Sequence, residues 1–287
     1  MELSRRLQAV AAMVTAGYTL ADIGTDHAYI PIYLVEHQIV PRAVAMDINE
    51  GPLDRARAHV EKHGLTGQIA LRLSDGMKEL RPGEAQSAVI AGMGGALMIR
   101  ILQDSKETVE SLRECILQPQ SEIAKVRAFL LQEGFLFIQE DMVEEDGKFY
   151  PMMKVVPRTA ARQMEDGFLP EETVRLAEDG FLSEGTARLA EDGSLPMEAA
   201  REQTREQKVD FWDEIELQYG KLLLKRRHPV LRAFLEKEIA VKKEILRNLG
   251  EPMSERTQKR KAELLSELAR SEKGMEYYAV QRDYESH

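Results

Sequence analysis

The strongest constraint on the fold of this chain is the alternation, over residues 1–157, of short apolar runs with longer amphipathic segments. The apolar runs have the length of buried strands, and the segments between them repeat apolar residues at helical spacing. Such alternation predicts an α/β domain with a mostly parallel sheet covered on both faces. The predicted strands are 19–23, 43–47, 69–73, 87–91, 115–118, 135–144 and 150–156. The predicted helices are 3–14, 29–37, 51–63, 95–102 and 123–132.

The last two predicted strands differ from the others because only a short turn around Asp146 and Gly147 separates them. Asp-Gly between two strand-like runs is a strong signal for a β-hairpin. We therefore expect the parallel sheet to close with an antiparallel edge.

Two further regions follow the α/β domain. Residues 158–206 contain three near-identical acidic copies, beginning at Glu165, Glu178 and Glu191, that are interrupted by glycine and proline. This composition predicts a mobile or partly helical insertion without a catalytic role. Residues 207–287 carry apolar stripes on both sides of a break at 250–252, which predicts an antiparallel, coiled-coil-like helical hairpin.

Composition excludes several classes of protein. Cys115 is the single cysteine among 287 residues, which excludes an intramolecular disulfide framework and fits a reducing compartment. No apolar run approaches the roughly 20 residues that span a bilayer, and the first residues lack the pattern of a signal peptide. We therefore expect a cytoplasmic protein without a membrane partner.

The charge of the chain is unevenly distributed. A net charge of -10 argues against a uniformly basic nucleic-acid binder, but residues 221–261 carry 13 basic and 5 acidic residues. A local cationic face attracts phosphate even when the whole molecule is acidic. The alternative is that this stretch is a solvated helix face.

The residues that carry chemistry follow the first four predicted strands. The first strand runs into the turn Asp22–Asp26, whose glycine permits close approach of a ligand. Asp47 ends the second strand, at the distance along the chain where a carboxylate binds ribose hydroxyls. Asp75-Gly76 follows the third strand, and a glycine-rich loop at 91–95 follows the fourth. Ligands of parallel sheets bind at this edge, so we expect a cofactor that contains a nucleoside.

The turn after the first strand discriminates between two cofactors. It has one glycine of the G-x-G-x-x-G pattern, and Asp26 and Ala28 stand where the later glycines are expected. The Asp26 carboxylate repels a pyrophosphate but suits the cationic methionine end of S-adenosylmethionine. The turn therefore favours a methyltransferase over a nicotinamide dehydrogenase.

Four segments together, Asp22–Pro31, Ile90–Gly95, Ile116–Pro119 and Glu144–Tyr150, resemble the bacterial tRNA (adenine-22-N1)-methyltransferase family. The resemblance covers residues 2–157 and continues more loosely through the C-terminal helices, whereas the acidic repeats depart from the family pattern. It implies a class I (Rossmann-like) methyltransferase domain followed by a coiled-coil-like helical domain. It also implies S-adenosyl-L-methionine as cofactor and methylation of N1 of adenine 22 in tRNA.

The resemblance and the spacing together give expected roles. Cofactor contacts are expected from Asp22, Gly24, Asp26, Asp47, Ile48, Asp75, Gly76 and Ala91. Catalytic or base-positioning roles are expected from His27, Tyr29, Gly92, Met93 and Gly94. Contacts with tRNA are expected from Lys221, Lys225, Arg226, Arg227, Arg232, Lys242, Lys243, Lys259, Arg260 and Lys261. For His27 and Tyr29 the alternative is a helix-capping histidine and a packed tyrosine.

Two other functions are compatible with parts of the pattern. One is an oxidoreductase that binds NAD, and the other is a non-enzymatic RNA-binding protein that keeps a degenerate methyltransferase fold. The turns at 22–26 and 91–95 argue against both. We expect the partner to be tRNA with adenine at position 22, the protein to be a monomer, and no metal site, because His59 and His63 lack a third ligand.

Overall fold

A computed structural model of the chain describes residues 1–165, 212–249 and 255–279. Its centre is a seven-stranded sheet in the order β3-β2-β1-β4-β5-β7-β6. The strands are Leu20–Ile23 (β1), Ala43–Asp47 (β2), Ile69–Leu73 (β3), Ser87–Gly94 (β4), Glu114–Ser121 (β5), Leu136–Glu145 (β6) and Lys148–Val156 (β7).

The first five strands are parallel, and β7 runs antiparallel to both β5 and β6. The turn between β6 and β7 has positive φ at both Asp146 (52°) and Gly147 (72°), as a two-residue type I′ hairpin turn requires. The predicted α/β sheet with an antiparallel edge is therefore confirmed.

Helices cover both faces of the sheet. Those around it are Arg5–Ala12 (α1), Tyr29–Glu36 (α2), Glu50–Lys62 (α3), Gly95–Asp104 (α4), Lys106–Ser111 (α5), Ile123–Gln132 (α6) and Arg158–Glu165 (α7). Successive strand residues point to opposite faces, so Leu20 of β1 packs into one apolar cluster and Ala21 into another. The two clusters form the core.

Four more helices follow the undescribed residues 166–211. They are Glu214–Tyr219 (α8), Lys221–Lys225 (α9), Pro229–Asn248 (α10) and Glu255–Glu276 (α11). Met142 of β6 packs with Ile215, Leu223 and Leu231 in a third apolar cluster. This cluster attaches the C-terminal helices to the hairpin edge of the sheet.

The helices α10 and α11 run side by side in opposite directions. A methyl group on Gly274 would lie 3.2 Å from Leu235, whereas Ser271 donates a hydrogen bond to Glu238 at 3.0 Å. Later residues of α10 therefore contact earlier residues of α11, which shows that the two helices are antiparallel.

A buried ion pair joins the two parts of the molecule. Arg127 of α6 donates through Nε to Glu140 of β6 at 2.8 Å, and both side chains are almost fully buried. The same arginine donates to the carbonyls of Leu217 and Gln218 at the end of α8, each at 3.0 Å. Glu140 accepts from the backbone N–H of Leu222, at the start of α9, at 3.0 Å. The pair therefore caps two short helices of the C-terminal part.

The structure differs from the sequence-based expectations in one respect that matters for the site. The fourth strand does not end at Ala91 but continues to Gly94, with register shifts around Met93. The expected loop at 91–95 is wrong, because β5 extends to Ser121 and provides pairing partners for the longer strand. The acidic copies beyond Glu165 lie outside the described residues, and no described helix is long and apolar enough to cross a membrane.

Candidate active site

The turn after β1 has the conformation that its glycine predicts. Gly24 has φ +75°, and the N–H groups of Gly24 and Thr25 both donate to the Met46 carbonyl of β2 at 2.8 Å. Asp22, two residues earlier, is 7% exposed. Burial, reinforced by the nearby Asp47 carboxylate, raises the pKa of Asp22 to about 6. The turn thus presents backbone groups and a buried carboxyl at the carboxyl edge of the sheet.

The same turn continues through two left-handed residues that are not glycine, His27 (φ 66°) and Ala28 (φ 54°). Such conformations cost free energy and occur where the surrounding structure enforces them. Ala28, without a side-chain hydrogen bond, is the N-cap of α2. His27 therefore does not cap the helix, and that alternative is wrong.

His27 belongs instead to an aromatic cluster with Tyr29 and His59. The rings of His27 and Tyr29 are stacked, with centroids 5.0 Å apart and an interplanar angle of 5°. His59 of α3 lies 5.0 Å from His27 and 5.4 Å from Tyr29. Nδ1 of His27 is buried and has no hydrogen-bond partner among the described residues. A buried polar atom of this kind is normally hydrogen-bonded, to ordered water or to a bound ligand where the protein offers no partner.

Asp26 is more exposed than the residues beside it and has a cationic partner. Its carboxylate accepts from Arg55 of α3, at 2.8 Å from Nη2 and 3.1 Å from Nε, and its side chain is 60% exposed. From sequence alone, Asp26 is an unpaired negative charge. Arg55 partly offsets that charge, so repulsion of a pyrophosphate is weaker than the sequence alone predicts.

The ends of β2 and β3 place two more expected residues on the same edge. Asp47 accepts from the backbone N–H of Asn49 at 2.7 Å, and the adjacent Ile48 is 57% exposed. Asp75 pairs with Lys78 at 2.5 Å and with Arg100 at 3.7 Å. The hydrogen bond from Lys78 lowers the pKa of Asp75, and Gly76 beside it has φ +64°.

The extended end of β4 separates two sides of this edge. Gly92 has φ +81°. On one side, a Cβ added to Gly24 would lie only 2.0 Å from the terminal methyl carbon of Met93. On the other side, a Cβ on Gly92 would lie 3.7 Å from Arg6 Nη1 and 3.7 Å from Gln120 Nε2. The segment Ala91–Gly94 is thus a strand end packed between the β1 turn and a set of polar side chains.

Sequence reasoning missed Arg6, Arg55 and His59 as parts of this edge. Arg6 and Arg55 lie on helices whose sequence pattern gives no sign of a functional role. Their contact with the carboxyl edge of the sheet depends on tertiary packing. His59 was considered only together with His63, which pairs with Glu36 instead. Within the described residues, no group of three or more His, Cys, Asp or Glu side chains is arranged to hold a metal ion.

Half of the basic residues expected to contact RNA have acidic partners within the chain. The pairs are Lys221–Glu216, Arg232–Glu236, Lys242–Glu238, Lys243–Glu272 and Arg260–Glu263. Arg226 also has an interaction partner. Lys225, Arg227 and Lys259 are exposed and have no ion pair within the described residues. Of these three cations, Lys225 ends α9 and Arg227 lies in the turn between α9 and α10.

Several proteins with similar sequences or structures are named as methyltransferases. The tRNA (adenine(22)-N(1))-methyltransferase of Bacillus subtilis is 41% identical over 153 residues, which are 53% of this chain and 64% of that protein. The B. subtilis m1A22 tRNA methyltransferase TrmK has a solved structure that matches with a TM-score of 0.67 and 26% identity, over 96% of this chain and 99% of that one. A putative tRNA (m1A22) methyltransferase of Streptococcus pneumoniae, solved with S-adenosyl-L-methionine, matches with a TM-score of 0.69 and 25% identity, over 96% and 100%.

The sheet order, with acidic and glycine-containing turns after β1 to β3 and the glycine-containing strand end of β4, fits a class I, Rossmann-like methyltransferase. A family model described as a methyltransferase domain matches residues 3–153, which include all of these turns. The chain belongs to this methyltransferase-domain family and is similar to tRNA (adenine(22)-N(1))-methyltransferases such as B. subtilis TrmK. The alignment with the curated B. subtilis relative spans less than two thirds of that protein's length.

Proposed function

We propose that this chain transfers the methyl group of S-adenosyl-L-methionine to N1 of adenine 22 in tRNA. The observation that carries the proposal is that every turn of the site lies inside the methyltransferase domain, at 41% identity to an enzyme named for this reaction. No observation on the described residues favours the dehydrogenase alternative.

The residues at the edge fit the cofactor. Gly24 and Asp26 hold its methionine end, Asp47 its ribose and Asp75 its adenine, while Ile48, next to Asp47, provides an exposed apolar surface for the adenine ring. The proposed binding site also includes Asp22, Gly76 and Ala91. The unpartnered Nδ1 of His27 supports the fit, because a polar ligand in the turn supplies the missing partner. When bound, the cofactor supplies an electrophilic methyl group on a sulfonium.

The chain's own contribution to the reaction is mainly positioning. N1 of neutral adenine carries a lone pair, so the reaction requires no base to remove a proton and no metal. The strand end Gly92, Met93 and Gly94 offers backbone groups that orient the base and exclude water. His27 and Tyr29, already stacked on each other, provide aromatic faces next to it. We assign these five residues to the positioning of the target base.

Adenine 22 lies within folded tRNA, and its N1 becomes accessible only when the base leaves its stack, at a cost of a few kcal/mol. In our proposal α10 and α11 form a coiled-coil-like hairpin, within a domain spanning 207–287, that holds the tRNA body by its phosphates. Residues 1–157 form the catalytic domain, and 158–206 form an insertion. The exposed cations Lys225, Arg227 and Lys259 are the strongest candidates among the basic set for phosphate contact.

Methyl transfer to a defined base tests the proposal. The purified full chain is incubated with labelled S-adenosylmethionine and unmodified tRNA that has adenine at position 22, and the methylated base is mapped by mass spectrometry. We expect N1-methyladenine at position 22 and no product when that base is guanine. Methylation of another base would overturn the substrate, and tRNA binding without any methyl transfer would favour the non-enzymatic alternative. Binding of NAD in place of S-adenosylmethionine would favour the dehydrogenase.

A further inference from the structure

Arg6 has an unusual environment for an arginine on the first helix of a domain. Its guanidinium reaches the carboxyl edge of the sheet, where Nη1 donates to Oε1 of Gln118 at 3.0 Å. The guanidinium carbon lies 5.5 Å from the centre of the Tyr150 ring. The backbone N–H of Arg6 donates to Glu145 at 3.2 Å, which fixes the helix against the β6–β7 hairpin. Residues of β5 and β7 thus contact this side chain, while Glu145 of β6 holds its backbone.

Gln118 orients the guanidinium of Arg6 through its amide oxygen. It is fully buried within β5, and its Nε2 group donates to the Pro119 carbonyl at 3.3 Å. This bond directs the amide oxygen toward Arg6. A buried amide held in this way keeps the guanidinium in one geometry and lowers the entropic cost of ligand binding.

The charge of Arg6 is not paired within the described residues. Its guanidinium contacts an amide oxygen and an aromatic ring, and no carboxylate among the described residues forms an ion pair with it. Other arginines of this edge are paired, Arg55 with Asp26 and Arg100 with Asp75. A half-buried cation with free donors, next to the strand end where the reaction occurs, is arranged to bind an anion.

The position of Arg6 indicates which anion. Most of the proposed cofactor residues lie at the carboxyl ends of β1, β2 and β3, whereas Arg6 lies over the later residues of β4 and β5 and the start of β7, beside Gly92. The target nucleotide must enter from this second side. Methylation leaves a positive charge on the adenine ring, so a guanidinium directed at N1 would oppose the reaction. A phosphate is the part of the nucleotide that an arginine fork binds most favourably.

We propose that Arg6, oriented by Gln118 and Tyr150, binds the phosphate of the target nucleotide and thereby holds the displaced base at the Gly92–Gly94 strand end. This inference rests on the proposed function for the identity of the nucleic acid. It assigns Arg6 to direct substrate contact and Gln118 to positioning.

The variant Arg6→Gln tests the proposal, and Arg5→Gln is the matched control. Both variants remove one positive charge from α1, but Arg5 is exposed and reaches only the Glu144 carbonyl, at 3.4 Å. Losing one phosphate contact reduces the slope of log affinity for tRNA against log salt by about 1. We expect this reduction, with at least about a tenfold lower kcat/KM for tRNA, in Arg6→Gln alone. The Kd for S-adenosylmethionine, measured by calorimetry without RNA, stays within twofold of wild type.

Other outcomes would overturn the proposal. A weaker Kd for S-adenosylmethionine with an unchanged salt slope would mean that Arg6 binds the carboxylate of the cofactor. Equal effects of the two variants would mean that only net charge matters. If Arg6→Gln does not fold, as judged by thermal unfolding, Arg6→Lys replaces it; we expect an unchanged salt slope and a reduced kcat/KM, because the charge is kept and the fork is lost.

Failure of the proposed function gives a different result. A wild-type protein that does not methylate tRNA fails before any variant is made, while the salt dependence of RNA binding still reports on Arg6. A normal wild-type reaction with unaffected Arg6→Gln kinetics and salt slope overturns only the inference on Arg6.

Discussion

At the scale of single residues, the turn after β1 depends on a backbone conformation that few side chains adopt. Gly24 has φ +75° and also contacts the Met93 methyl group. Gly17 has a similar φ of +81°, but a Cβ there would meet no atom within 4 Å. Comparing alanine substitutions at the two glycines therefore separates the free-energy cost of the backbone conformation from that of the clash with Met93.

Replacing Gly17 by alanine is expected to lower the free energy of unfolding by about 1–2 kcal/mol through backbone strain alone. Gly24→Ala is expected to lose a further 1–3 kcal/mol or so, because the new methyl group must displace Met93. Urea unfolding measures both. In a Met93→Ala background the loss at Gly24 should fall to that at Gly17. Equal losses at the two glycines in the wild-type background would contradict a role for the Met93 contact.

Asp22 predicts a pH dependence of stability with a definite sign. Its pKa is raised by burial from 3.8 to about 6, so the folded state binds this proton more tightly than the unfolded state. The free energy of unfolding therefore falls as the pH rises from about 4 to about 6, by up to roughly 3 kcal/mol, and the loss is complete above that window. Asp22→Asn removes this titration.

We expect Asp22→Asn to be more stable than wild type at pH 7.5 and to lose that advantage near pH 4, while binding S-adenosylmethionine more weakly. Urea unfolding at the two pH values measures the first effect and calorimetry the second. Asp54→Asn, which alters an exposed carboxylate, is the control and should show no such gain. A wild-type protein as stable as the variant at pH 7.5 would show that the Asp22 charge is compensated.

At the scale of secondary-structure elements, Arg127 and Glu140 determine how the C-terminal helices attach. Removing one partner of a buried pair leaves the other charge without compensation, which costs about 3–5 kcal/mol. Arg127→Met is expected to lose this much in urea unfolding, because the carbonyls of Leu217 and Gln218 also lose their donor. Arg232→Met breaks an exposed pair and should cost less than about 1 kcal/mol. Similar losses for the two variants would contradict a structural role for the buried pair.

Much of the sheet could be predicted from the sequence because its signals are local. The strand Ile69–Leu73 and the helix Ile123–Gln132 have the expected bounds, and the Asp146-Gly147 turn determines the hairpin by its own chemistry. The extension of β4 to Gly94 could not be predicted, since Gly92 and Gly94 weaken strand propensity and pairing with β5 decides the outcome. Local pattern therefore specifies the elements, and long-range pairing specifies where the strand at the site ends.

The candidate site shows the same division between local and tertiary signals. Asp22, Gly24, Asp47 and Asp75 could be predicted as candidates because each lies within two residues of the carboxyl end of a predicted strand. Arg6 could not, because it lies on α1 and reaches the edge only through contact with β5 and the β6–β7 hairpin. Its role depends on residues more than a hundred positions away in the sequence.

At the scale of the whole molecule, a protein of net charge -10 must bind a polyanion through a limited surface. Ion pairs within the C-terminal helices occupy several of its cations, such as Lys243 with Glu272. Cations that already have acidic partners release fewer counterions on binding RNA, so they contribute less to its salt dependence. The end of α9 and the turn that follows it, where Lys225 and Arg227 are exposed, should therefore contribute more to the salt dependence than the paired cations do.

This difference predicts unequal effects for two double variants that remove the same charge. Lys225→Gln with Arg227→Gln is expected to reduce the slope of log affinity for tRNA against log salt by about 2. Arg232→Gln with Lys243→Gln removes two paired cations and should change the slope by less than half as much. Filter binding at several salt concentrations measures both slopes, with S-adenosylmethionine affinity as a check on folding. Equal slopes would show that ion pairing of individual cations does not influence phosphate contact. The net charge of the whole helical surface would then determine RNA binding.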